Sequence, residues 1–390
     1  MMAAPIYRSR TTLIRTHALR LLITSLVAIL PARFMAAQQG ATEDLVHAAV
    51  KTEARRQHAV GVAVGVLIDG EIAFYSITGF QDRETQIPVS RNTMFRWASI
   101  SKSLTAITLL QLAEQQLLSI DQTVNQFLAD YPPQRTSDGQ SHEITLEQLL
   151  THQSGIVHYT NGIIRGTPRE YLRPHPFRHV QLALNGFNQS PLVHAPGTAY
   201  SYTTRGYILL SAIVEKVSGR PFHNQVDRMI AKPLGMNTLQ PDYQWKRIQN
   251  RAVGYRKLDN GTIVPSSDTD VSWKLGGGGF ISTIDDLSKF AEGMLQRKLV
   301  NKTTRTMMFT PHAITDGTAT NYGLGFQTNE FNGRQTIGHG GSQEKTRTRL
   351  AIDLQSNSGV VIMSNSEYVD TARFTEVVFK AISAGRQISP

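Results

Sequence analysis

The chain carries Ser99-Ile100-Ser101-Lys102 where a strand-like opening gives way to a periodic apolar run. Residues three apart on a helix are neighbours, so this spacing lets an amine reach a hydroxyl. A serine hydroxyl is a weak nucleophile until a base takes its proton as it attacks a carbonyl, and a lysine beside it can be that base. The same spacing recurs at Ser342-Gln343-Glu344-Lys345, and about one such match is expected by chance in a chain of this length. Context separates the two. Ser99 follows Thr93-Met94-Phe95-Arg96-Trp97 and precedes Leu104, Ile107, Leu110, Leu112, Leu117 and Leu118, which reads as an amphipathic helix with Ser99 at its N-terminus. Amides at such a helix end would point at a developing oxyanion. Ser342 follows Gly338-His339-Gly340-Gly341, where no helix starts cleanly. The competing account of Ser99 is an ordinary N-cap serine.

Three further segments follow in order: Leu149-Leu150-Thr151-His152-Gln153-Ser154-Gly155, Pro196-Gly197-Thr198-Ala199-Tyr200-Ser201-Tyr202-Thr203-Thr204, and His339-Gly340-Gly341. With Ser99 and Lys102 they make a sequence that resembles the serine β-lactamase and penicillin-binding-protein superfamily. Its class C-like branch is the nearer match, in particular the mitochondrial-type serine β-lactamase-like proteins and their bacterial relatives. The likeness runs from about residue 43 to 365 and includes Phe95 to Leu104, Gly206 to Gly219 and Trp273 to Thr283. It implies an acylated nucleophile at Ser99 and a base or proton shuttle at Lys102. Tyr202 would be a second base that can also protonate the leaving group. Thr204, His339, Gly340 and Gly341 would meet the substrate, and the backbone amides of Ser99 and Ser342 would form the oxyanion hole.

Two positions depart from the family pattern. Thr204 stands where an asparagine carboxamide contacts substrate and lysine, and its hydroxyl offers one donor against two. His339 stands where lysine is more common, and an imidazole is mostly neutral at pH 7, which weakens attraction to a substrate carboxylate. Arg347 and Arg349 share one face of the following strand by alternation; as charged residues they are expected to face solvent. Free lysine titrates near ~10.4 and tyrosine near ~10. Around one hydroxyl the two are coupled, and the sequence leaves open which of them takes the serine proton.

Other features carry less chemistry. His152 reads as a hydrogen-bonded structural histidine at a helix end. His175 and His179 are four apart, but Pro174 and Pro176 break the helix that would align them. There is no H-E-x-x-H, and neither a metal site nor a cofactor is expected. Gly276 to Gly279 lack the Gly-Lys-Ser/Thr ending of a phosphate loop; they read as a tight backbone approach before a helix capped by Ser282 or Thr283, with Asp285 and Asp286 in its first turn.

The elements that must position these residues form an α+β pattern. Glu43 to Gln57 reads as a helix, Val60 to Ile68 as a strand, and Asp69-Gly70 as a hairpin turn into Glu71 to Thr78. Residues 99 to about 265 are mainly helical with long loops, and Gly206 to Val217 is the clearest helix, stopped by Gly219 and Pro221. Strands return at Leu324 to Phe331, Thr348 to Leu354 and Gly359 to Met363, before a last helix over Thr371 to Ala384. The expected architecture is β-lactamase/transpeptidase-like: an antiparallel sheet region from 43–98 and 270–385, with a mainly helical region, 99–269, inserted. Together they make one catalytic domain. The long loop of about 156 to 195 is expected to roof the cleft.

Residues 1–37 are set apart as a signal peptide. Arg8, Arg10, Arg15 and Arg20 precede an apolar run from Leu21 to Leu30, and small residues follow at Ala36-Ala37. A run of ten is too short to span a bilayer, so no stable membrane span is expected after cleavage near Ala37, and the mature protein is expected in the bacterial periplasm or outside the cell. The chain has 390 residues and a formal net charge of +10; the five arginines of that segment, with no acidic residue there, account for half of it. No basic-aromatic cluster of the nucleic-acid-binding kind is present. The absence of cysteine removes disulfides and thiolate metal sites. Nothing in the sequence speaks to oligomeric state. The expected function is acyl-enzyme hydrolysis of a small-molecule or peptide substrate: a D-amino-acid peptide, a β-lactam or another small acyl compound. The alternative is a non-catalytic binding or scaffolding protein on the same fold.

Overall fold

The computed structural model describes residues 38–166, 177 and 179–387. The expected signal peptide, His175 and part of the expected roof lie outside these residues.

Valine alternation makes the centre of the fold. In β1 (Gly61–Ile68), Val62, Val64 and Val66 pack on one face and Ala63 and Leu67 on the other, all fully buried. The strand turns at Asp69-Gly70, both left-handed, into β2 (Glu71–Asp82), followed by the short β3 (Ile87–Pro88). Four strands come from the far end of the chain: β4 (Gln327–Phe331), β5 (Arg334–Gln343), β6 (Thr346–Asp353) and β7 (Ser358–Ser364). The sheet runs β4-β5-β6-β7-β1-β2-β3 and its pairs are antiparallel. This is the sheet expected from the sequence, drawn from both ends of the chain.

One face of the sheet is covered by α1 (38–56) and a last helix, Thr371–Gln387, through Val46, Val50, Phe374, Val378 and Ile382. The other face meets the helical region. There α2 (Ser101–Glu114) and α3 (Thr204–Ser218) cross the interior, and α4 (Ile284–Leu295), capped by Thr283 through the Asp286 amide, packs on β1. The last helix is α5. Gly219, at φ 63, ends α3 as a left-handed cap.

The structure corrects two readings of α2. It is buried on all sides from Ser101 to Leu110 and not amphipathic. Its polar side chains are satisfied internally, Ser103 donating to the Gly325 carbonyl and Thr105 to that of Gly276, so nothing pushes that face to water. Ser99 also precedes α2, in a 3₁₀ turn over Ala98–Ile100, and no side-chain cap bond exists at either helix start. It is not an N-cap serine.

Candidate active site

The residues before Ser99 are bolted in place from two sides. The Trp97 amide donates to the Phe280 carbonyl at 2.8 Å, and its indole N–H donates to Ser282 Oγ at 2.6 Å. From β6, Thr348 Oγ1 donates to the Trp97 carbonyl at 2.9 Å and Thr346 Oγ1 to that of Arg96 at 3.1 Å. Between these anchors Ala98 is held at φ 48, a left-handed conformation that costs an alanine roughly 1–2 kcal/mol. The 3₁₀ turn that follows presents Ser99 at the floor of a 780 Å³ cleft.

Lys102 lies one turn on and is fully buried. Its Nζ is 3.2 Å from Ser99 Oγ, 3.1 Å from Thr204 Oγ1 and 2.7 Å from the Gly277 carbonyl. Burial, reinforced by the like charge of Lys274, holds Lys102 well below the ordinary lysine range. A neutral amine has two N–H groups and one lone pair. The Gly277 carbonyl can only accept, and the Thr204 hydroxyl can take the second N–H, which leaves the lone pair for the Ser99 proton. Glycine at 277 permits this approach: a Cβ there would sit 2.5 Å from Thr204 Cγ2.

Tyr202 lines the cleft beside Ser99, and its ring centroid is 4.7 Å from Lys102 Nζ. Burial pushes the phenol well above its ordinary range, so it stays protonated. Beneath it His152 packs against Tyr202, Tyr207 and Tyr322. Its Nδ1 accepts from the Thr203 amide at 3.1 Å, at the end of the short helix Leu146–Leu150, which is the structural place read from the sequence.

His339, on β5, uses both ring nitrogens. Nδ1 faces the Gly340 carbonyl at 2.6 Å and must carry the proton, so Nε2 accepts from the Tyr322 hydroxyl at 2.8 Å. Burial brings it down to about 3; it carries no charge at neutral pH. The glycines after it are close approaches. A Cβ at Gly341 would lie 2.6 Å from the Trp97 carbonyl oxygen, and one at Gly340 3.1 Å from the Arg349 guanidinium. Ser342 is exposed and lines the cleft beside Ser99.

All the candidate residues of the sequence reading thus gather at one place: Ser99, Tyr202, Thr204, His339, Gly340, Gly341 and Ser342 line the cleft, with Lys102 beneath. Arg347 and Arg349 correct an expectation. Both are half-buried and line the cleft instead of facing solvent, because β5 and β6 form its wall. Sequence reasoning also missed Lys274 and His158. Lys274, one lysine between Trp273 and a four-glycine run, was legible as an odd charge but not as a cleft residue. His158 accepts at Nδ1 from the Thr204 amide at 3.2 Å, and burial brings it to about 3. Its Nε2 therefore carries the proton, and it is a donor in the cleft. Among the described residues no helix is long and apolar enough to cross a membrane, and no cluster of metal-ligating side chains is found.

Known proteins resemble this chain in sequence and in fold. A family model described as Beta-lactamase matches residues 41–381. The mitochondrial serine beta-lactamase-like protein LACTB of Homo sapiens is 30% identical over 312 residues, covering 65% of this chain and 56% of its own length. A D-aminopeptidase of Gluconobacter oxydans is 26% identical, covering 88% of this chain and 63% of its own length. The chain spans less than two thirds of either relative. The octameric penicillin-binding protein homologue from Pyrococcus abyssi superposes with a TM-score of 0.72 at 23% identity, covering 87% of this chain and 77% of that one; this is a likeness of fold.

Proposed function

The chain belongs to the beta-lactamase family, and on that premise we propose that it is a serine hydrolase that cleaves an amide or ester through an acyl-enzyme on Ser99. The observation that carries the reading is Lys102: buried, without a neighbouring carboxylate among its hydrogen-bond partners, and in contact with the hydroxyl it would deprotonate.

Ser99 Oγ attacks the substrate carbonyl and its proton passes to the Lys102 lone pair. The oxyanion is held by the backbone amides of Ser99 and Ser342. Collapse expels the amine or alcohol, which takes a proton from the Tyr202 phenol, and Lys102 returns one to Tyr202. Water then attacks the acyl ester by the same route in reverse. His152, His158 and His339 do not compete for the role of base. Each is neutral, and the hydrogen bonds described above leave no free lone pair on His158 or His339 toward Ser99. Lys102 is the base and Tyr202 the shuttle.

Candidate substrates are D-amino-acid peptides, β-lactams and small acyl compounds; the aminopeptidase relative carries the D-amino-acid preference in its name. The sheet region and the helical region, 99–269, form one catalytic domain in this reading, exported to the periplasm or beyond after cleavage near Ala37. Intact-mass spectrometry after exposure to a fluorophosphonate tests the core of it. One adduct on the folded protein, lost in Ser99→Ala, is expected. A folded protein that takes no adduct is the non-catalytic binding protein instead.

A further inference from the structure

Lys274 is a cation of the cleft that the mechanism does not use. Its side chain is 9% exposed and lies over the rings of Trp273 and Tyr159, at 5.6 and 5.9 Å. Its ion partner is Glu344, at 3.9 Å, which is beyond hydrogen-bonding distance. Among the described residues its ammonium donates no hydrogen bond. With no acceptor in hydrogen-bonding range among the described residues, the ammonium keeps a side open to solvent, and that side is the cleft that also holds Ser99.

The other cations of the cleft differ from it. Arg347 is engaged by the wall itself, donating to the Gln343 and Thr346 carbonyls at 3.0 and 2.9 Å. Arg349, whose Nε has no hydrogen-bond partner among the described residues, is turned against the backbone at Gly340 and over the Phe331 ring. His339 is uncharged. Burial brings Lys274 to about 8, with Glu344 drawing it up and Arg96 pushing it down, so it remains mostly protonated at neutral pH.

We propose that Lys274 is a specificity-determining residue that anchors a carboxylate of the substrate, the carboxylate taking the place that Glu344 fills loosely. This rests on the hydrolase reading above and narrows it: the preferred acyl compounds carry a free carboxylate near the scissile bond.

The test compares mono-p-nitrophenyl glutarate with p-nitrophenyl valerate, near-isosteric esters with and without an acyl-side carboxylate. A second pair carries the carboxylate, or its methyl ester, on the leaving group, and tells the two sides apart. Wild type prefers the carboxylate in one pair or the other. Lys274→Met lowers the kcat/KM ratio of that pair by about 10-fold or more, mainly through KM, as expected for a lost charge-assisted hydrogen bond. Glu344→Gln raises the ratio and Lys274→Arg restores part of it. Taking a ratio cancels any general effect of the lost charge on Lys102. A ratio that Lys274→Met leaves unchanged in both pairs overturns the inference. Calorimetric binding of the same four esters to Ser99→Ala, with and without Lys274→Met, separates this from failure of the hydrolase reading. Carboxylate binding weakened about 10-fold by Lys274→Met supports the anchor even in a protein that turns nothing over. Equal binding in both backgrounds rejects it.

Discussion

Two stretches of this chain share one spacing and have opposite fates. Ser99 and Lys102 lie on a 3₁₀ turn running into a helix, and their functional atoms are 3.2 Å apart. Ser342 and Lys345 lie at the end of β5 and in the turn after it. There Lys345 is left-handed at φ 70, and its ammonium pairs with Asp268. Ser342 is exposed, while Lys102 is fully buried. Residue types three apart are chemistry only where the backbone coils them onto one face and the surroundings strip water from the amine.

Mutating the two sites in parallel should break the likeness most sharply. Ser99→Ala should lower hydrolysis by about 10³-fold or more. Ser342→Ala, which keeps its backbone amide, should stay within about twofold, since only a side chain outside the chemistry is lost. Steady-state rates on an activated ester decide both. Next in size, Lys102→Met should cost about 10²–10⁴-fold in kcat. Lys345→Met should leave kcat alone and shift denaturant stability by roughly 0–1 kcal/mol, because its partner Asp268 is 71% exposed on its side chain.

A smaller effect sharpens the comparison from the backbone side. Gly277→Ala forces a methyl against Thr204 and moves the carbonyl that orients Lys102. We expect kcat to fall by about 10-fold to 10²-fold with the protein still folded by circular dichroism. Ala substitution at Gly333, the turn between β4 and β5 with open space around its Cβ, should leave kcat unchanged.

The smallest effects are in pH. In the proposed mechanism the neutral form of Lys102 is the active one, so hydrolysis of a neutral ester should rise with pH through a value well below the ordinary lysine range and then level off. Protonation at Lys102 is weaker in the folded than in the unfolded chain. The unfolded state therefore binds more protons between that lowered value and about 10.4, and stability from this group rises with pH across the window. Lys274 behaves oppositely as a binder: the preference for a carboxylate ester should fall as pH passes about 8 and the ammonium is lost. Glu344 and Asp270 oppose that loss and Arg96 favours it, with Lys102 already neutral nearby. Parallel pH–rate profiles on the two esters read both limbs.

Much of this was legible in the sequence, and the reasons are local. Asp69-Gly70 and Asn332-Gly333 announce their turns because few other pairs accept two left-handed residues. Thr283 announces α4 by its capping hydroxyl. The four motifs around Ser99 were readable because each keeps its residue types together along the chain. What escaped depends on contacts across the chain. Arg347 and Arg349 alternate like solvent-facing residues, and only the packing of β5 against the Ser99 turn makes that face a cleft wall. The burial of α2 on all sides likewise needs Gly325 and Gly276 to receive its hydroxyls. Lys274 shows its meaning only once Trp273 and Tyr159 close around it.

The bolt from Thr348 to Trp97 spans 251 residues, and β1 pairs with β7 across a longer stretch, Val62 with Ser364. A ribosome adding 5–20 residues per second makes the serine roughly 10–50 s before the threonine that fastens its turn. Throughout that interval the nascent chain carries the Ser99 hydroxyl without the wall of β5 and β6, and without the tension at Ala98 that sets its aim. The turn that carries Ser99 is thus fastened only after a segment made 251 residues later has arrived.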